Sequence, residues 1–543
     1  MATALTPSRS SHPLTGSRSP NPLTVPGSPV SMSLSPLPFA VAAPANVRTP
    51  HRSLSHWMNR VLEELHSLPS SNDPDAVHDL RVALRRCRSL AAVMEEVDPD
   101  PSWQSMRKVA RRLFRSLGEL RDVQVMAGLV KKVCTENDPL RAQLLASLEE
   151  EEKQLSESAL RVAAKFDVKV WSGLERQLRR RVRIIPVGGL AAECLALERF
   201  ESAKELHNRA LRTEKPKPWH AARIGLKRFR YLLEGLLPDH YAAWSQNLKR
   251  LQDLLGDIHD LDVLAELLAE RKGSQPSPST KPWLERIVQQ RHERIETYRQ
   301  LTLGKTSLWH EWRHNLPHGK RLEAAAAARL RATARATDGH LRRSSQISRI
   351  ALRLFELLRR SHTTPAFNAP SLRRIMESAA ILHGIDSAGG RRLSHKALRK
   401  FLLGLAIPPN WTAEEWDLMA WGVRFHLGAE PRQKNGFAKL SEEHQACVCV
   451  VAGVLRLARA LRKSGVDRPV GLRCVKSKDA LVLCVPGLAD SAEAAARLAA
   501  AKHLLETVLA KPLLLKSIPK PAKCVEPTEP PQESPLLAAA ASA

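Results

Sequence analysis

The chain has 543 residues, which at roughly 100–200 residues per domain predicts three or four units. Its 84 Lys and Arg against 56 Asp and Glu leave a net charge of +28, and 43% of its residues are hydrophobic. That apolar share excludes disorder throughout, while the basic excess narrows the partners to polyanions: nucleic acid, anionic membrane or a phosphate polymer.

Residues 1–47 are expected to be a disordered leader, because the first fifty residues hold ten Pro, nine Ser and no acidic residue. Helical spacing, with Leu, Ala and Arg dominant, then marks 52–68, 76–97, 102–134, 138–170, 191–213, 218–236, 240–271 and 283–301. Pro74, Pro99, Pro101, Pro186, Pro216, Pro218 and Pro238 fall between these segments, and 272–282 reads as a loop. Residues 317–343, rich in Ala and Arg, are expected to be a helical but weakly packed linker. Another helical block follows at 344–465. The period then changes: 470–475 and 480–485 read as a hairpin, and Asp490 with Glu493 marks a helix start running to about Leu509. A small α+β unit is therefore expected at 466–515, with a disordered tail at 516–543.

Several classes are disfavoured by what the chain lacks. Aromatic residues make up 4%, too few for platforms that stack single-stranded nucleic acid. No run approaches about eighteen consecutive apolar residues, so no membrane span is expected. The eight cysteines form no C-x-x-C pair, which favours reduced thiols in a cytoplasmic protein over a zinc site or a disulfide framework. There is no phosphate-binding G-x-x-x-x-G-K-[ST] loop and no G-x-S-x-G elbow. Glu149–Lys153 spells E-x-E-x-K, a pattern that needs alternating strand positions but lies here in a helical segment.

The most informative feature is a duplication. Val77–Arg88 (VHDLRVALRRCR) has a counterpart at Trp219–Arg230 (WHAARIGLKRFR), with histidine followed by basic residues at +3, +7, +8 and +10 in both. Further on, Leu117–Val125 (LGELRDVQV) echoes Leu255–Val263 (LGDIHDLDV), and Arg111 and Arg112 match Lys249 and Arg250. At about 100° per residue, offsets 0, +3, +7 and +10 fall within an arc of about 80°. His78, Arg81, Arg85 and Arg88 thus share one helix face, as do His220, Arg223, Lys227 and Arg230; Arg86 and Arg228 point elsewhere. Like charges at i and i+4 repel, and no Glu interrupts Arg81–Arg88. A merely solvated basic face has no need of matching residues in register twice, so the rows read as an anion site. Guanidinium forks suit phosphate oxygens, and Lys227 adds a point charge.

These two blocks resemble the CHAD family (conserved histidine α-helical domain) over about 48–316. The resemblance implies a mainly α fold of two pseudo-twofold-related four-helix bundles around a basic channel that binds inorganic polyphosphate. It also implies that His78, Arg81, Arg85, Arg88, Arg111, Arg115, His220, Arg223, Lys227, Arg230 and Lys249 line that channel. One departure separates the halves: Arg121 precedes Asp122 where His259 precedes Asp260.

Histidines recur in the second block, at His383, His395 and His426. A metal phosphohydrolase of the HD type would need an Asp beside His383 and a late helical Asp. Gly384 and Arg459 stand there instead, so neither a metal nor a catalytic residue is expected. The order of segments over about 345–515 resembles the C-terminal half of Ppx/GppA-type exopolyphosphatases, a degenerate HD-like helical domain plus a small α/β domain. That resemblance implies a supporting, non-catalytic role, with Lys396, Arg424, His426, Lys434, Lys439 and Arg456 as secondary phosphate contacts. The sequence therefore favours a cofactor-free polyphosphate-binding protein of the cytoplasm, at polyphosphate granules, without membrane contact. The alternatives are a polyphosphate hydrolase, which phosphate release with Mg²⁺ or Mn²⁺ would reveal, and a nucleic-acid or other polyanion binder.

Overall fold

Four of the prolines that separate the predicted helices, Pro74, Pro101, Pro216 and Pro238, turn out to start them. In the computed structural model, α1 (Leu54–Ser67) is followed by α2 (Pro74–Met94), α3 (Pro101–Val133) and α4 (Pro139–Ala164), the last three opening on proline. A proline at the first helical position loses only an N–H that has no helical partner there. Residues described are 53–68, 74–133, 138–270, 281–361, 367, 369–388, 391–428, 431 and 436–519. The expected leader, most of the tail and most of the 272–282 loop lie outside them.

α5 (Val168–Arg181) completes the first half. The sequence runs as one helical segment over 138–170, but the chain breaks at Lys165, and Asp167 restarts it by accepting the Val170 N–H at 2.9 Å. The second half repeats the plan with α6 (Leu190–Leu211), α7 (Pro216–Leu236), α8 (Pro238–Glu270), α9 (Lys281–Thr302) and α10 (Leu308–Asn315). α2 and α7 are both 21 residues long, and α3 and α8 both 33. Neighbours in sequence pack as neighbours from α1 to α4 and from α6 to α9, and the halves meet where α2 touches α7 and α3 touches α8. Each half is thus the expected four-helix bundle with a short fifth helix added.

One apolar core runs through both halves, with Trp103, Trp171, Trp219 and Trp312 fully buried. Some of its indole N–H groups find polar partners, Trp171 donating to the Met58 carbonyl at 3.0 Å and Trp103 to the Asp98 carboxylate at 2.8 Å, whereas that of Trp312 is buried without one among the described residues. Asp98 has no exposure, and Arg181 neutralises it at 2.7 Å, tying α5 to the start of α3. α6 and α7 pack closely at Gly225, where a Cβ would lie 2.9 Å from Leu206 Cδ1 and 3.2 Å from Ala203 Cα. Gly225→Val should therefore lower stability by about 1–3 kcal/mol through overpacking, read as a lower denaturation midpoint.

Beyond α10 the structure corrects one expectation. α11 (Gly319–Thr337) is helical as predicted, but it is firmly packed. It lies along α6, its Leu322 and Ala332 join the first core, and its Leu330 joins a second core. Arg329, only 2% exposed, pairs with Glu198 of α6 at 2.9 Å and donates to the Ala406 carbonyl at 3.1 Å. Ala-rich composition weakens the apolar signal while permitting the close helix contact that alanine's small side chain allows.

The second core is built by α12 (Leu341–Ser361), α13 (Leu372–Leu382), α14 (His395–Gly404), α15 (Ala413–Phe425) and α16 (Glu442–Lys463). A two-residue ribbon, β1 (Ser387–Ala388) with β2 (Arg391–Arg392), precedes α14. By length and composition α16 is apolar enough to cross a membrane, and 67% of its apolar window is buried inside the protein. The predicted hairpin is β3 (Arg473–Lys476) and β4 (Leu481–Pro486), antiparallel with Arg473 opposite Cys484. α17 (Ala492–Leu509) then crosses back to β5 (Leu513–Ile518), parallel to β4 with Leu481 opposite Leu513. Ser491, not Asp490, caps α17 by accepting the Ala494 N–H. β5 reaches into the stretch expected to be tail, because an exposed edge strand carries little alternation to read.

Candidate functional site

The two cationic rows sit on the helices that join the halves. On α2, His78 is exposed and Arg81, Arg85 and Arg88 are half-buried; on α7, His220 is exposed and Arg223, Lys227 and Arg230 are half-buried. Burial of so many cations has to be supported, and aromatic rings supply part of that support. Arg81 and Arg88 both lie over the Phe114 ring of α3, at 5.0 and 4.7 Å from its centroid. Arg85 lies 5.3 Å from the ring of Tyr231, which belongs to α7 of the other half. The +8 arginine leaves the row, as helix geometry requires: Arg86 pairs with Glu234 of α7 and stacks near Trp57 at 5.2 Å.

The second sequence block explains itself through the first. Gly118 of the LGE motif faces Arg81, whose Nη1 would stand 3.0 Å from a Cβ at that position. A side chain there would push the guanidinium off its seat, and Arg81 also donates weakly to the Phe114 carbonyl at 3.5 Å. Gly256, the matching glycine, has nothing within 4 Å. The halves differ again three residues on, where Arg121 stands against His259: His220 and His259 lie with their Nδ1 atoms 3.3 Å apart and their rings 4.5 Å apart. Burial, Arg223 and neighbouring cations push His259 down to about 4, and burial and Arg223 lower His220 as well, so this pair is neutral near pH 7.

Electrostatics show that the rows lie close together. Burial, then Arg223, Arg85 and Arg81, push the Lys227 ammonium down to about 7 from its ordinary 10.5. Two of those three arginines come from α2 and one from Lys227's own helix. Burial also lowers Arg81, with Arg85 and Arg121 adding to the effect and Asp122 opposing it. Asp260 is raised chiefly by burial, with Arg223 and Lys227 opposing and Asp122 of the other half adding. Several donors have no acceptor: the Nε atoms of Arg85, Arg223 and Arg230 are buried and unpartnered. The rows thus form a cluster of partly desolvated, mutually repelling cations, an arrangement that a bound anion would relieve.

Not every residue of the rows is free. Arg88 donates to the Arg107 carbonyl at 3.0 Å, and Arg230 bonds Gln252 and, at 3.3 Å, the Tyr241 hydroxyl. Arg111, Arg115 and Lys249 are exposed along α3 and α8. Sequence reasoning missed Tyr231, which has Ser89 as its counterpart and so carries no repeat signal. The rarity of Tyr, three in the chain, was the available cue, since two of the three lie beside arginines of the rows.

The secondary candidates are more scattered. Lys396 and Lys439 are exposed, Lys434 lies outside the described residues, and Arg424 lies over the Trp421 ring at 4.8 Å. His426 is 3% exposed, hydrogen-bonds the Val423 carbonyl and meets His383 edge to face at 5.5 Å, so it serves the core and offers no surface to a polymer. Arg456 Nε donates to the Phe425 carbonyl at 2.9 Å, closing the end of α15. Burial drives His383 to about 4 and His426 to about 3. At Gly384 a side chain would collide with Ser344 and Asp338, so the carboxylate of an HD site has no room there.

The family model of the CHAD domain matches residues 53–269. A solved structure described as the CHAD domain from the plant Ricinus communis is 21% identical, covering 46% of this chain and 88% of that one, with a TM-score of 0.37. No curated protein matches the chain. By its paired histidine and basic blocks and by the family match, the segment 53–269 resembles the CHAD domain family.

Proposed function

We propose that this protein binds inorganic polyphosphate along the two cationic rows of α2 and α7. The observation that carries the reading is the cluster of half-buried cations from both helices, Arg81, Arg85, Arg223 and Lys227, in which the buried Nε atoms of Arg85 and Arg223 have no acceptor among the described residues and burial with the arginines pushes Lys227 down to about 7. A cation kept at such a cost in desolvation and repulsion favours a ligand of dense, regular negative charge, and the CHAD resemblance favours the same ligand. His78, Arg111, Arg115 and Lys249 extend the row at its exposed edge, while Arg81, Arg85, Arg223 and Lys227 hold its centre. The rows offer guanidinium forks and an ammonium but few rings facing solvent, which suits bare phosphates better than bases. Lys396, Arg424 and Lys439 would give the second block a supporting hold on a long chain, raising its effective concentration at the first.

Titration with polyphosphates of graded length tests the reading. Affinity should rise with length until the rows are filled, and duplex DNA should be displaced by polyphosphate. Equal binding of duplex DNA that polyphosphate cannot displace would overturn it.

A pH dependence follows from Lys227. A bound phosphate chain restores the charged ammonium, so binding near pH 8 should take up nearly one proton, and affinity should fall as pH rises above about 7. Calorimetry in buffers of different ionisation enthalpy reads the uptake, which Lys227→Met should abolish. In the free protein the unfolded chain is the better proton binder between about 7 and 10.5, so Lys227 makes stability rise with pH across that window.

A further inference from the structure

A cationic cleft lies away from the rows of α2 and α7. It encloses about 810 Å³ between α11, α12 and α13, within the range of small-molecule sites. Each helix sends arginine into it: Arg331 and Arg335 from α11, Arg349 from α12, and Arg373 and Arg374 from α13. Their pairing differs. Arg373 is neutralised by Glu377 at 3.0 Å, and Arg374 by Glu415 while it donates to the Asn410 carbonyl at 2.8 Å. Arg331, Arg335 and Arg349 have no acidic partner among the described residues; Arg349 makes only a 3.4 Å contact to the Ser345 carbonyl of its own helix.

The lining also carries the carboxylates of Glu323 and Asp338, and apolar side chains fill much of the wall between the cations. Leu330, Ala334, Leu352 and Ile381 line the cleft, and the Trp411 ring closes one side with Arg374 held over it at 5.1 Å. Three unneutralised guanidiniums call for an anion of several charges, and apolar walls with an indole edge call for a body that water solvates poorly. A bare phosphate polymer would satisfy the first feature and waste the second. We propose that this cleft binds a small organic phosphate, with two or more phosphoryl groups set against Arg331, Arg335 and Arg349 and a planar apolar body against the Leu and Trp walls. Ser344, Ser345 and Ser348 of α12 add hydroxyls beside the arginines.

The probe is ATP, with inorganic triphosphate and adenosine as partial ligands, measured by calorimetry on the full chain. Arg81→Ala with Arg223→Ala is included to silence the rows on α2 and α7. In that background ATP should still bind, triphosphate at least 10-fold more weakly, and adenosine not measurably. Arg331→Ala with Arg335→Ala, both exposed and without ion pairs, should weaken ATP at least 10-fold and leave circular dichroism and thermal midpoint unchanged. Ala334→Trp should fill the cleft and block ATP without removing a charge. The proposal is overturned if ATP fails to bind in the row-silenced background, if triphosphate binds as well as ATP, or if neither cleft variant alters ATP affinity. None of these outcomes bears on polyphosphate binding by the rows, which the graded-length titration tests separately.

Discussion

Replacing Arg81 and Arg223 together by alanine should weaken polyphosphate binding by ~100-fold or more at physiological salt. Each substitution removes a charge-assisted contact worth about 1.5–3 kcal/mol, and the two come from opposite halves, so both sides of the row lose their grip. The folded protein should not suffer. Arg81 and Arg223 each contribute to the repulsion that depresses Lys227, so their removal should hold or raise the thermal midpoint and return Lys227 toward its ordinary value. A drop in affinity with loss of helicity would mark a structural effect; unchanged affinity would exclude these helices as the binding surface. Arg86→Ala is the contrasting variant. It breaks the pair with Glu234 and should act on stability, leaving a buried carboxylate uncompensated.

Salt should act nearly as strongly as mutation. Held by about 6–10 phosphate contacts, a single chain should lose ~10²–10⁴-fold in affinity between about 50 and 200 mM salt, because condensed counterions are released on binding. The double variant should show a shallower logarithmic slope than the wild type, by roughly one to two charges. A salt-independent affinity would mean that ligand binding does not rest on these cations.

Much of this arrangement was readable from the residues. The helix period and the prolines mark the helices, the duplicated blocks carry the resemblance that implies paired bundles, and the offsets 0, +3, +7 and +10 separate Arg81 and Arg85 from Arg86. Other features required three dimensions. Gly118 looks like any helical glycine until Arg81 is seen against it. Tyr231 matters through a contact to Arg85 from the opposite half, which no local pattern encodes. The packing of α11 is hidden in the sequence because alanine-rich faces carry little hydrophobic contrast, although they pack closely. His426 misleads in the opposite way: a histidine amid basic residues invites a surface role, whereas Nδ1 bonded to its own helix and burial against His383 make it core. In the second block the cleft arginines are spread over three helices with no shared spacing, so only the fold brings them together.

The sharpest test is chemical. An amine held near 7 reacts with an acylating reagent at neutral pH while ordinary lysines are protonated, so Lys227 should be acetylated ahead of exposed lysines such as Lys249. Mass spectrometry of the peptide spanning α7, with and without saturating polyphosphate, reads whether the polymer lies over that amine. The account predicts strong protection of Lys227 by polyphosphate; labelling at the same rate in its presence would contradict it.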